Sequence, residues 1–159
     1  MMRAVVSVIA IAAAIGADRA AAVEFELARV VVPTHVVLPA GQELRVAIDV
    51  IVLPGYHVQA NPAAYANLIP ITLTFTPAAG ITVGKPVYPS PHRLRLEGSG
   101  DELLVYRGRF RIIVPLARQA RDASAVRLQG TLHYQGCDHR QCLFPQSLPV
   151  VLGIAGGAP

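Results

Sequence analysis

The chain is poor in charge, in lysine and in cysteine. Charged residues make up 15% of its 159 positions, lysine occurs once, at Lys85, and cysteine occurs twice. The remaining basic residues are arginines, and they are scattered along a chain of net charge +4. No cluster or stripe of basic side chains exists to track a phosphate backbone, which argues against nucleic-acid binding. There is no Cys-x-x-Cys, so the thioredoxin motif is excluded, and no Cys-x-x-Cys-His for covalent haem. Long helices are disfavoured by the 13 prolines, because each removes a backbone donor and clashes with the preceding turn. No second long hydrophobic run follows the one at the N-terminus, so the rest of the chain carries no membrane-spanning pattern.

That N-terminal run carries the first specific message. Met1-Met2-Arg3 is a short positive start, and residues 4–17 are all apolar or small. Small residues then offer cleavage points at Ile15-Gly16-Ala17 and Ala20-Ala21-Ala22. This layout predicts a signal peptide over residues 1–22, since the run is shorter than the roughly 20 apolar residues of a transmembrane helix. Export out of the cytoplasm follows, and there disulfides can form and persist.

From residue 23 onward the pattern is one of strands. Leu44, Val46, Ile48 and Val50 alternate with other residues, a period of two that puts them on one face. Residues 106–114 repeat this, with Tyr106, Gly108, Phe110, Ile112 and Val114 facing one way and Arg107, Arg109 and Arg111 the other. Residues 126–134 are a third case. Further strands are predicted at 25–32, 69–75, 81–87 and 148–152, separated by turns at Pro39-Ala40-Gly41, Pro54-Gly55, 77–80 and 97–101. Residues 61–67 have room for a single helical turn. Short, evenly punctuated strands without an amphipathic helix predict an all-β domain, an immunoglobulin-like β-sandwich over residues 23–152, with a flexible tail at 153–159.

Both cysteines fall late, in Tyr134-Gln135-Gly136-Cys137-Asp138-His139-Arg140-Gln141-Cys142-Leu143-Phe144-Pro145. A strand ends near Tyr134 and another begins shortly after Cys142. If the four intervening residues turn the chain, the two cysteines face each other across a hairpin mouth, within disulfide reach. On a helix the same spacing would point them apart. A ring this small contributes only about 2 kcal/mol by chain entropy, against more than 4 for a long loop. An exposed short loop also favours reducibility. His139 and Arg140 favour a thiolate, while Asp138 opposes it. Spacing alone leaves three readings open: a redox pair, a structural disulfide, or a Zn or Cu(I) carrier built from His133, Cys137, His139 and Cys142.

The cysteine segment resembles the active-site loop of the N-terminal periplasmic domain of the thiol:disulfide interchange protein DsbD, the disulfide bond corrector domain family. Pro54-Gly55-Tyr56-His57-Val58-Gln59-Ala60-Asn61-Pro62, running on into Leu68-Ile69-Pro70-Ile71-Thr72-Leu73, is similar to an early Gly-aromatic-His and proline-rich segment of that family, and Val105-Tyr106-Arg107-Gly108 resembles its central strand. The resemblance spans nearly the whole chain after the leader. It implies an immunoglobulin-like fold that relays electrons by dithiol–disulfide exchange, in the manner of a protein-disulfide reductase, with no cofactor and no metal. Cys142 matches the cysteine that attacks the partner disulfide, Cys137 the resolving one, and Tyr56 an aromatic near the site. A membrane electron carrier of the DsbD type is implied as donor. Periplasmic thioredoxin-like proteins, including those of cytochrome c biogenesis, and disulfide isomerases are implied as acceptors. The best-known members have five residues between the cysteines, against four here, and shield them with an aromatic-tipped cap loop. Residues 93–100, the matching segment, hold no aromatic residue, which leaves Leu94 or Leu96 to do the shielding. As a chain without a membrane carrier, it must draw electrons from another polypeptide.

Overall fold

The computed structural model describes residues 26–96, 100–119 and 124–156, and among them there are strands, turns and bends but no helix. The leader predicted at 1–22 lies outside the described residues.

Alternation decides the layers. In β3 (Glu43–Val52) the side chains of Val46, Ile48, Val50 and Val52 are buried, and in β9 (Arg109–Arg118) those of Ile112, Val114 and Leu116. The two strands pair antiparallel with Val46 opposite Val114 and Ile48 opposite Ile112. β1 (Ala28–Val31) and β6 (Ile81–Val83) complete a sheet of order β1-β3-β9-β6. The second sheet has the order β2-β12-β10-β5, from β2 (Val36–Val37), β12 (Gln146–Ala155), β10 (Val126–Tyr134) and β5 (Thr72–Phe75). Leu128, Leu132 and Tyr134 of β10 and Leu148, Val150, Leu152 and Ile154 of β12 join the apolar face of the first sheet in one cluster. Two sheets sharing one apolar interior make the immunoglobulin-like sandwich that the strand pattern predicts.

A third, smaller sheet has the order β11-β4-β8-β7, built from β11 (Gly136–Cys137), β4 (His57–Gln59), β8 (Glu102–Tyr106) and β7 (His92–Arg95). The chain passes from the second sheet to this one within a single residue, Gln135, between β10 and β11. Gly136 makes that crossing possible. A Cβ at this position would lie 2.2 Å from Cδ1 of Leu27, whose side chain is fully buried over the glycine.

Four sequence expectations are corrected. Residues 106–114 are not one strand: the chain turns at Arg107 and Gly108, the glycine at φ 61°, so Tyr106 belongs to β8 while β9 starts at Arg109. A positive φ is strained for any residue with a Cβ, which is why the turn falls on the glycine. Beyond the turn the alternation holds, and the outward Arg109 and Arg111 meet Asp49 of β3 at 3.3 and 2.8 Å. The residues 61–67 form bends and a turn closed by Leu68 N donating to Tyr65 O, rather than a helical turn. Both ends of this segment are tied to neighbouring backbone, Ala60 N to Leu104 O and Ile71 N to Gln59 O, and Asn61 Nδ2 donates to Ile71 O. β12 runs to Ala155, three residues past the expected strand end at Leu152, because Gly153 pairs with Arg127 and Ile154 and Ala155 pair with β2. Finally, the strand predicted at 81–87 stops at Val83, with Val87 making only an isolated bridge to Ile113.

Candidate functional site

The cysteine loop is a hairpin. Cys137 and Cys142 form an antiparallel bridge with Cα atoms 3.9 Å apart and are joined by a disulfide. The turn between them has a local cause. Asp138 N donates to Gln141 O at 2.9 Å, and the Asp138 carboxylate accepts from Arg140 N and Gln141 N at 2.6 and 2.8 Å. An aspartate that captures the backbone two and three residues ahead closes a tight turn by itself. The Arg140 N–H, then that of Gln141, holds the Asp138 carboxyl below the usual carboxylate range, with His139 and Arg140 adding attraction and desolvation opposing.

Past the loop the backbone is fixed on both sides. Leu143 N donates to Gly136 O at 2.8 Å, and Gln135 Nε2 donates to Leu143 O at 3.0 Å. Leu143 packs against the core, whereas Cys142 and Phe144 on either side of it are exposed.

The two sulfurs therefore have different surroundings. Cys142 is exposed, and Cys137 is 2% exposed. What buries Cys137 is β4, whose His57 stands directly opposite it in the ladder. Side chains two residues apart share a sheet face, so Gln59 lies diagonally beside the same cysteine. Gln59 is fully buried, and its Nε2 donates toward Cys137 Sγ at 3.9 Å. His57 Nε2 and Gln59 Oε1 are buried without a hydrogen-bond partner. Burial keeps the His57 imidazole below its ordinary pKa, and the nearby Asp138 carboxylate pulls the other way.

A cleft of about 960 Å³ runs alongside the hairpin. It brings together Tyr56, His139 and Leu96, along with His57, Leu94 and Asp138, but its walls include neither cysteine. Leu94 and Leu96 thus line the cleft and leave Cys142 exposed. Residues 97–99, within the segment expected to cap the site, lie outside the described residues. His139 accepts a hydrogen bond from Arg140 Nε at 3.0 Å. His133 is held elsewhere, 3.0 Å from Ser147 Oγ on the paired strand β12. Among the described residues no three His, Cys, Asp or Glu side chains cluster as metal ligands would.

The sequence singled out Cys137, Cys142, Tyr56, His139 and Leu96 but passed over His57 and Gln59 as site residues. The only signal for them was their place in the Pro54-Gly55-Tyr56-His57 segment, because a three-residue strand paired to residues almost eighty positions away leaves no periodicity to read.

The sequence profile described as thiol:disulfide interchange protein DsbD, N-terminal, matches residues 23–152. The chain belongs to this family. No curated protein matches it. Among solved structures it is similar to the DsbD N-terminal domain of Neisseria meningitidis in its reduced form, at 19% identity and a TM-score of 0.50, covering 74% of this chain and 82% of that one. It is also similar to the N-terminal periplasmic domain of ScsB from Proteus mirabilis, at 12% identity and a TM-score of 0.50, covering 79% of this chain and 44% of that one. A third relative is the Neisseria meningitidis DsbD N-terminal domain in complex with the PilB N-terminal domain, at 18% identity and a TM-score of 0.48, covering 72% of this chain and 80% of that one. The likeness to the DsbD and ScsB domains is one of fold. Membership of the family, with two cysteines at bonding distance, supports thiol–disulfide exchange.

Proposed function

We propose that this chain relays reducing equivalents through the Cys137/Cys142 dithiol to disulfides of partner proteins. The observation that carries the reading is the unequal exposure of the two cysteines, with Cys142 open to a partner and Cys137 buried against His57 and Gln59. In the reduced protein the Cys142 thiolate attacks a partner disulfide. A Cys142–partner bond forms and one partner thiolate leaves. Cys137, deprotonated, then attacks Cys142 Sγ, the second partner thiolate leaves, and two electrons have passed to the partner. The buried sulfur is within reach of Cys142 and of little else, which suits a resolving cysteine.

The chemistry is that of a protein-disulfide reductase-like carrier, carried by residues 23–152, needing no cofactor. Residues 1–22 act as the export signal, and the site of action is the periplasm, as the periplasmic ScsB domain suggests. The donor is a membrane electron carrier of the DsbD type, and the acceptors are thioredoxin-like or disulfide isomerase proteins, including those serving cytochrome c biogenesis. Tyr56, His139 and Leu96 form the wall on which such a partner rests.

Trapping tests the assignment. Cys137→Ala should accumulate a mixed disulfide through Cys142 when mixed with an oxidised thioredoxin-like protein, detected as a dithiothreitol-sensitive adduct. Cys142→Ala should give none. Equal trapping by both variants, or by neither, would sink the division of roles.

A further inference from the structure

Phe144 is the feature that exchange chemistry does not use. It is 91% exposed, whereas the other exposed large hydrophobic side chains among the described residues lie between 37% and 54%. Single exposed apolar residues are ordinary on protein surfaces. The position of this one is not, because it stands two residues from the exposed Cys142.

Nor is Phe144 a loose end. Leu143 before it is held by Gly136 O and Gln135 Nε2 and packs on the core. Pro145 after it restricts its backbone to extended conformations. Cys142 and Phe144 are both exposed, and two residues of extended chain span no more than about 7 Å. A partner sulfur bonded to Cys142 Sγ sits about 2 Å from it. The surface around that sulfur therefore comes within reach of the Phe144 ring.

Resting on the exchange function proposed above, we infer that Phe144 is the docking anchor for the oxidised partner. The partner it fits is a protein whose disulfide borders an apolar depression that receives the ring. An aromatic held in place before binding loses little freedom when buried, which is how anchors raise the rate of encounter complexes that go on to react.

The test uses two cyclic peptide disulfides equal in ring size and charge, one with Leu and Val flanking the cysteines and one with Ser. The full chain is reduced with dithiothreitol and desalted, and each peptide's reduction is followed by chromatography. Burial of the ring predicts that wild type reduces the apolar-flanked peptide about tenfold faster than the serine-flanked one, and that Phe144→Ala lowers this ratio to about twofold. Phe144→Leu should keep a ratio above about fivefold, because an aliphatic anchor retains most of the apolar area. Val37→Ala, on β2 at the Ile154–Ala155 end of β12, should keep the wild-type ratio. A wild-type ratio near one, or an unchanged ratio in Phe144→Ala, overturns the anchor while leaving the exchange function standing. Failure of wild type to reduce either peptide overturns both.

Discussion

Cys142 and Cys137 differ less in chemistry than in what surrounds them, and the surroundings come from His57 and Gln59. A buried glutamine with an unpartnered carbonyl costs stability, so its retention beside Cys137 asks for a reason. Donation from Nε2 to the sulfur, stronger once that sulfur is a thiolate, supplies one. Gln59→Met keeps the volume and removes the donor. It should slow the release of partner from the mixed disulfide by about threefold to tenfold, measured by stopped-flow, while leaving the denaturation midpoint equal or higher. A slower release accompanied by lower stability would point to packing instead.

His57 gives a pH prediction. Its folded-state pKa lies below the unfolded value because burial disfavours the imidazolium. The unfolded chain therefore binds the proton first as pH falls, and stability is full above about 6.5 and declines below it. Denaturant midpoints at pH 7.5 and 5 should differ more for wild type than for His57→Phe. Parallel losses in the two proteins would exclude His57 as the cause. Asp138 offers a third handle at this scale. Asp138→Asn keeps an oxygen to accept from Arg140 N and Gln141 N but removes a negative charge from the loop between the cysteines, so alkylation of Cys142 in the reduced protein at pH 7 should quicken by about threefold.

At the scale of elements, the longest strands were the most legible, while of the short ones β1, β5 and β6 lay within predicted strands and others were missed. The strands β3, β9, β10 and β12 are nine or ten residues long, enough for alternation to mark the inward face, and each carries a strand predicted from the sequence. β2, β4, β7 and β11 have two to four residues, too few to show a period, and these include the two that hold the site. The hairpin itself was legible because the flanking strands and the cysteine spacing are local features, although the Asp138 turn that closes it was not read. The partners of Cys137 were not, because they arrive by tertiary pairing. The junction of β10 and β11 depends on Gly136 lying under Leu27. Gly136→Ala should lower stability by about 1–3 kcal/mol through overpacking, and by much less in a Leu27→Ala background, since contacting residues couple. Additive losses in the double variant would show that the two do not meet.

For the molecule as a whole, the sandwich does not depend on the hairpin disulfide. Its interior is built from β1, β3, β9, β10 and β12, with Leu27, Leu38 and Ile71 fully or nearly fully buried among them. The bond closes a loop with a sequence separation of 5, and reducing it should therefore cost no more than about 2 kcal/mol. A pair that stabilises so little yet is kept half-open at the surface suits the exchange function proposed for it. The reduction potential of Cys137/Cys142 tests this most directly, measured by equilibration with glutathione or dithiothreitol buffers. A value between about −270 and −120 mV, the range of thiol–disulfide exchange proteins, is expected. One below about −300 mV, where structural disulfides lie, would contradict the account.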